Sequence, residues 1–386
     1  MSDYPARALI NLAAIQRNVA ALRERATAPV MAVVKADAYG HGLVPSARAA
    51  LAGGATWLGV AQLSEALDLR AAGVDAPLLT WIYAPGAPLA RAVRAGIDLS
   101  VGAPWALAEV RAAVAATGRT ARIHLKVDTG LGRGGQFLPA WRDMLDQALR
   151  AQAAGEVEVV GVWSHLASAE DVTSATTASQ REVFLEAVAL AEAGGAHLEL
   201  RHLANSAATL VRPDLHFDLV RPGLAVFGLS PLPGVSAGEV GLEPAMRLEA
   251  SLMVVKHAPA GQGVSYGHTY TTTAQTVLAD VPLGYADGIP RHAGSAGPVQ
   301  VAGRRYTIAG RVCMDQFVLD LGADSSAAAG DVAVLFGAGT DGEPTAQDWA
   351  EAAGTISYEI VTRLGVRVPR VHHRDGAIQP TTQRTP

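Results

Sequence analysis

The sequence predicts an α/β chain: an N-terminal (β/α)8 TIM barrel over about residues 1–235, followed by a C-terminal mostly-β domain over 236–386. Three observations lead there. Before residue 235, eight strand-like runs alternate with alanine- and leucine-rich helical segments. After it the helical texture nearly stops, and short β-like runs punctuated by glycine and proline take over. Finally, no glycine-rich dinucleotide loop follows the first strand, which favours a barrel over an open doubly wound sheet.

ARALINL (6–12) reads as a short strand that pairs outside the barrel, with the C-terminal domain, and NLAAIQRNVAALRERA (11–26) reads as the helix after it. The barrel strands are expected at 30–34, 57–61, 78–83, 97–101, 121–127, 157–163, 198–203 and 217–221. Between them SEALDLRAAG, PWALAEVRAAVAATG, AWRDMLDQALRAQAAG and REVFLEAVALAEAGG are helical, and several stop at a glycine, which tolerates the left-handed turn after a helix. SPLPGVSAGEVG (230–241) is the expected linker. Strands then follow in MRLEASLMVVKHA, TVLADVPL, PVQVAGRRYTIAG, FVLDLG and DVAVLFG, with one helical patch at 345–365. The tail HHRDGAIQPTTQRTP is polar, and its end reads as disordered.

Composition narrows the class. A chain of 386 residues, 49% hydrophobic and 17% charged, fits a soluble protein with a sizeable core. The net charge of -5 is mild and unblocked, which argues against nucleic acid as a partner. No apolar run is long enough to span a bilayer, and the N-terminus lacks a basic region followed by an apolar one. The single cysteine, Cys313, agrees with a reducing compartment, so the cytoplasm is the expected location. His372 and His373 lie in the tail without partners at ligand spacing, and no metal site is expected.

Of 31 basic residues only three are lysine: Lys35, Lys126 and Lys256. A chain that writes arginine wherever a cation serves keeps lysine where a primary amine matters. In a barrel of this kind the chemistry sits at the C-terminal ends of the strands. Lys35 ends the first, and Lys126, Asp128 and Arg133 lie at and after the end of the fifth. His165 ends the sixth, Asn205 and Ser206 follow the seventh, and Arg221 ends the eighth. Each has an ordinary reading: a solvated lysine, a structural histidine, an arginine paired on the surface, a helix cap at Asn205–Ser206. Their agreement on one face carries the functional one. A lysine can form a Schiff base. Ser206 at a helix start, with the backbone N–H groups of the RPG turn, suits a phosphate. Pyridoxal 5'-phosphate meets both requirements.

The motifs AVVKADAYGHG, KVDTGLGR, HLANSAA, RPGLAVFGLSP, VSYGHTY, GYADGIPR and GRVCMDQ resemble, in order and across both domains, those of bacterial alanine racemases, fold-type III pyridoxal phosphate enzymes. The resemblance implies interconversion of L- and D-alanine, supplying D-alanine for peptidoglycan and so cell-wall biogenesis. Lys35 would bear the cofactor and act as one base, and Tyr266 as the other, from the partner subunit of a head-to-tail homodimer. Tyr39, Asn205, Ser206, the backbone at Gly223 and Leu224, and Tyr358 would hold the cofactor, chiefly its phosphate. Arg221 would face the pyridine nitrogen, with His165 linking it towards Tyr266. Arg133 and the backbone of Met314, beside Cys313, would meet the substrate carboxylate. Lys126 matches a position that is often a carbamate, and Tyr285, Arg291 and Arg311 would line the access corridor. Two departures stand beside these motifs: SHLA lacks an aromatic residue after the histidine, and KVDTGLGR has leucine for the common methionine.

Two other enzyme readings share the fold. An amino-acid racemase of broader specificity would keep every residue named. A fold-type III decarboxylase pairs the pyridine nitrogen with a carboxylate, which Arg221 argues against. A non-catalytic cofactor-binding protein would match the barrel and lack the β domain.

Overall fold

The computed structural model describes residues 4–378, so the end of the polar tail lies outside the described residues. The chain divides into two compact units. One holds the described residues up to Ala14, Tyr39–Gly42, and the described residues from Glu243 onward. The other holds Ile15–Ala38 and Leu43–Leu242.

The first strand, β1 (Ala6–Asn11), belongs to the first of these. The second unit is the barrel. Its strands β2 (Met31–Val33), β3 (Trp57–Gln62), β4 (Leu78–Ile82), β5 (Asp98–Val101), β6 (Ala121–Lys126), β7 (Val157–Trp163) and β8 (Leu200–His202) lie side by side in chain order, all parallel. The eighth stave, expected at 217–221, forms no extended ladder. It makes one parallel bridge, Val30 to Val220, while Met31 N–H donates to Val220 O at 2.8 Å and Arg221 N–H to Ala204 O at 2.8 Å. Residues 218–222 therefore lie between β8 and β2 and close the barrel. Local chemistry keeps the stave short: Phe217 has φ 47°, and Pro222 has no N–H to extend the ladder.

Each helix follows from its sequence. Leu138–Ala153 buries Trp141, Met144, Leu145, Ala148 and Ala151, a stripe of helical period. Pro104 opens Pro104–Thr117, and Gly118, at φ 66°, ends it. The barrel interior is crowded: Met31, Leu79 and Leu219 form a core against Trp57, Trp81 and Leu200.

The other unit is largely β. A seven-stranded sheet includes β9 (Met246–Ser251), antiparallel to β1. A second sheet joins β10 (Val254–Ala258), β13 (Thr276–Val281) and β16 (Phe317–Asp320), and a small ribbon joins β11 (Gly263–Val264) to β12 (Tyr270–Thr271). The hairpin β14 (Pro298–Val301)–β15 (Arg304–Thr307) and strand β17 (Val332–Phe336) complete one side of the large sheet. On the other, β18 (Arg370–Arg374) runs parallel to β1, followed by β19 (Ala377–Ile378). His372 and His373, at the start of the polar tail, are thus strand residues. They satisfy the backbone edge that β1 would otherwise leave open, with Ile10 opposite His372. The single helical patch expected at 345–365 is two helices, Ala346–Ala353 and Ser357–Thr362, separated at Gly354 by a left-handed φ of 65°. No described helix is long and apolar enough to cross a membrane.

Candidate active site

Lys35 stands at the end of β2. Val34 N–H still donates to Gly59 O at 2.8 Å, so the barrel register holds up to the residue before it. Beyond Lys35 the chain does something costly. Ala36, Asp37, Ala38 and Tyr39 all adopt left-handed backbone, with φ of 55°, 52°, 55° and 54°. For L-residues this costs about 1–2 kcal/mol each, and such strain persists only where surroundings enforce it. Part of that enforcement is visible. Asp37 accepts from Leu43 N–H at 2.8 Å, its own N–H reaches Glu65 at 3.3 Å, and Ala38 N–H donates to Val34 O at 2.9 Å.

Five basic side chains sense one another around the barrel mouth. Burial, and then the charge of Arg133, lowers the Lys35 ammonium below its ordinary range, with Glu65 opposing. Lys126 is pushed down to about 8, by burial first and then by Arg133 and Arg221. His165 is pushed down to about 3, again by burial first and then by Arg221, Arg133, Lys126 and Lys35, so it is neutral at physiological pH. Little negative charge offsets this. The carboxyl of Asp128 is occupied by its own loop: burial opposes its ionisation, but N–H donors at Gly130 (2.9 Å), Gly132 (3.1 Å) and Arg133 (2.9 Å) hold it below the usual range. Such a mouth attracts anions, and burial beside like charge lowers the ammonium pKa of both its lysines.

Arg221 is 6% exposed and makes no ion pair among the described residues. Its Nη2 donates to Ser164 O at 2.6 Å and Leu203 O at 3.3 Å, and its Nη1 to His202 Nδ1 at 3.2 Å. Burial pushes it down to about 9, which leaves it protonated at neutral pH. Two of its five N–H donors, at Nε and Nη1, find no acceptor among the described residues. Ser206 is similar. Its Oγ accepts from Gly223 N–H at 2.8 Å and Ala225 N–H at 3.3 Å, and its own proton has no acceptor among the described residues. The side chain of Asn205 is used as a cap, accepting from Ala208 N–H at 3.0 Å.

The other unit gathers a second group. Tyr266, 70% exposed, follows Ser265 at a strained φ of 60°. Ser265 Oγ donates to Arg311 O at 2.7 Å and lies 3.4 Å from Cys313 Sγ. Tyr285 N–H donates to Cys313 O, and Ala286 N–H to Met314 O, both at 3.0 Å. These bonds draw Tyr266, Tyr285, Arg311, Cys313 and Met314 into one surface, in which Tyr285 and Met314 are also exposed. The turn of Arg291 adjoins it through Gly294, where an added Cβ would lie 3.3 Å from Arg311 Cα. The rings of Tyr39 and Tyr358 are 6.3 Å apart within this same unit.

Comparison with known proteins gives this arrangement its family. Residues 10–231 match the model for the alanine racemase N-terminal domain and 245–372 that for the C-terminal domain. The chain belongs to the alanine racemase family. An alanine racemase from Beutenbergia cavernae is 72% identical over 370 residues, 96% of this chain and 98% of that protein. The crystal structure of the alanine racemase from a D-cycloserine-producing Streptomyces lavendulae superposes with a TM-score of 0.95 at 54% identity, covering 97% of this chain and 98% of that one. The Streptomyces coelicolor alanine racemase gives 0.94 at 56% identity, covering 95% and 98%.

Membership of the alanine racemase family implies pyridoxal phosphate, and the barrel residues fit it. Ser206 has a proton to give a phosphate, Arg221 has N–H groups to give a ring nitrogen, and Lys35 is an amine with a lowered ammonium pKa. Several contributors escaped the sequence reading: Glu65, the buried histidines His124 and His202, and Asp98. The signal was there in part, since ARIHLKV and LELRHL each carry a histidine within a barrel strand.

Proposed function

We propose that the protein interconverts L- and D-alanine, using pyridoxal phosphate on Lys35, in a head-to-tail homodimer. The observation that carries the reading is the convergence of Lys35, Lys126, Arg133, His165 and Arg221 at one barrel mouth, with Ser206 offering a free proton. When bound, pyridoxal phosphate supplies the electron sink that makes an α-proton removable.

The chain's residues do the rest. Lys35 Nζ, its ammonium held below the ordinary lysine range by burial and Arg133, can act as nucleophile and, in its neutral form, as base on one face of the substrate. Inverting a stereocentre without releasing the substrate needs a second base on the opposite face. Tyr266 Oη is proposed for it, supplied by the partner subunit, and the exposure of Tyr266 makes it available to another chain. Arg221 keeps its proton and so favours an unprotonated pyridine nitrogen, which suits racemisation better than decarboxylation or transamination. Arg133 attracts the substrate carboxylate, its backbone fixed by Asp128. Lys126 as a carbamate fits its lowered pKa, because only the neutral amine adds carbon dioxide, and the product would turn repulsion by Arg133 into attraction. Tyr39, Tyr285, Arg291, Arg311, Met314 and Tyr358 keep the roles that the resemblance gives them. Supply of D-alanine for peptidoglycan and a cytoplasmic location belong to the same proposal.

The test is chiral chromatography after incubation of the purified protein and pyridoxal phosphate with L-alanine and, separately, L-serine. Fast conversion of alanine with slow conversion of serine is expected. Equal rates would replace the alanine claim with a broad-specificity racemase, and no racemisation of either would overturn the reading.

A further inference from the structure

Four side chains run in one hydrogen-bonded line through the barrel interior. Arg221 Nη1 is 3.2 Å from His202 Nδ1, His202 Nε2 is 2.9 Å from His124 Nδ1, and His124 Nε2 is 3.1 Å from Asp98 Oδ2. Both imidazoles are completely buried and Asp98 is 5% exposed. At the far end Arg122 Nε donates to the same Asp98 oxygen at 3.3 Å, and its other nitrogens hold Glu199.

The donor inventory permits one arrangement of protons. A guanidinium only donates, so His202 Nδ1 accepts and its proton sits on Nε2. That proton points at His124 Nδ1, which must accept, so His124 carries its own on Nε2 and donates to Asp98. Protonating either ring would set N–H against N–H somewhere along the line. Burial works in the same direction: with Arg221 and then His124 adding to it, it holds His202 well below the ordinary histidine range. The ring planes are fixed independently. His202 lies parallel to Trp163, at 3° and 5.8 Å between centroids, and Gly161 leaves space for His124, whose Nδ1 would be 2.5 Å from an added Cβ. With the planes set by packing, the proton pattern is what remains to be chosen, and the donor Arg221 at one end and the acceptor Asp98 at the other select the same one.

We infer that Asp98 and His124 are positioning residues for Arg221: they lock His202 as its Nε2–H tautomer, so that a lone pair faces the guanidinium and holds its orientation. Without this lock, the Nδ1–H form of His202 would oppose Arg221 Nη1 and displace the donors that the guanidinium offers at Nε. The inference rests on the reading of Arg221 as the residue facing the pyridine nitrogen.

The experiment is 15N NMR of histidine-labelled protein, first without cofactor and then loaded with pyridoxal phosphate. In wild type, between about pH 6 and pH 8, where free histidine would titrate, His124 and His202 should both show a protonated Nε2 and an unprotonated Nδ1. An Nδ1–H tautomer, or an imidazolium, on either ring overturns the inference, and this needs no variant. In His124→Phe, the His202 signals should move towards a mixture of tautomers. In the loaded protein kcat for alanine should fall about tenfold at unchanged KM, the size of losing one hydrogen bond to a charged group. Asp98→Asn, which keeps an oxygen to accept from both His124 and Arg122, should stay close to wild type, whereas Asp98→Ala should match His124→Phe. An Asn variant as impaired as Ala would contradict the tautomer account. The underlying reading fails separately: if Arg221→Lys left the absorbance of the bound cofactor unchanged, Arg221 would not face the pyridine, while the tautomers of wild type would stand.

Discussion

The backbone N–H of Arg133 donates to Asp128 Oδ2 at 2.9 Å, while Oδ1 of the same carboxylate takes the N–H groups of Gly130 and Gly132. One aspartate, five residues before the arginine, therefore shapes the loop that presents it. Asp128→Ala should cost about 1–3 kcal/mol of stability, the penalty of leaving buried donors unpaired, and should raise KM for alanine more than it lowers kcat. Urea unfolding and steady-state kinetics measure the two effects. The pH dependence follows from the lowered pKa. Wild type has this stabilisation in full above the ordinary aspartate value of 3.8 and loses it as pH falls below, and the variant should lack that loss.

Lys126 behaves in the opposite sense. Its ammonium titrates near 8 in the folded chain against 10.5 as a free side chain, so between those values the unfolded state binds more protons and stability rises with pH. Below 8 the buried cation is a liability beside Arg133 and Arg221. Lys126→Met should therefore stabilise the cofactor-free protein by about 1–3 kcal/mol at neutral pH, a discounted conversion of the pKa shift, with the advantage gone by the free-lysine range. Thermal melts across that range would show it.

Ser206 accepts from two backbone N–H groups, and its own proton has no acceptor among the described residues. Ser206→Ala should weaken pyridoxal phosphate binding by about 10- to 100-fold, as expected for a hydrogen bond to a dianion. Titrating the cofactor-free protein while following its absorbance gives the number. Pyridoxal without phosphate should bind equally to both proteins.

The exposed Tyr266 predicts complementation. Lys35→Ala and Tyr266→Ala proteins should each be inactive, and mixing them under conditions of subunit exchange should restore activity, because one of the two sites in a heterodimer is intact. Mass spectrometry confirms the exchange, and exchange without recovered activity counts against a shared site.

The sequence made the barrel legible because strand and helix periods alternate cleanly there, and it made Lys35, His165, Ser206 and Arg221 legible because each ends a strand or opens the segment after one. The eighth stave was harder. Its apolar FDLVR reads as a strand, yet Phe217 and Pro222 shorten the pairing to one bridge. The left-handed run from Ala36 to Tyr39 left no trace in residue type, since alanine has no preference for that conformation and the strain is imposed by Asp37, Glu65 and Val34. Nor was the line from Asp98 to Arg221 visible. Its members are spread over more than a hundred residues of chain and meet only because parallel strands bring their interior positions together. The strand that holds His372 and His373 left no sign either, because its partner, β1, stands at the other end of the sequence.

The central claim is that Lys35 carries the cofactor for alanine racemisation. Its most direct measurement is the rate of D-alanine formation from L-alanine by cofactor-saturated wild type and Lys35→Ala, followed by chiral chromatography with and without added methylamine. Wild type should reach the racemate. The variant should be slower by at least about a thousandfold, as for loss of an essential base and nucleophile, with partial recovery when the amine is supplied. A Lys35→Ala protein that racemises alanine at the wild-type rate without added amine would contradict the claim.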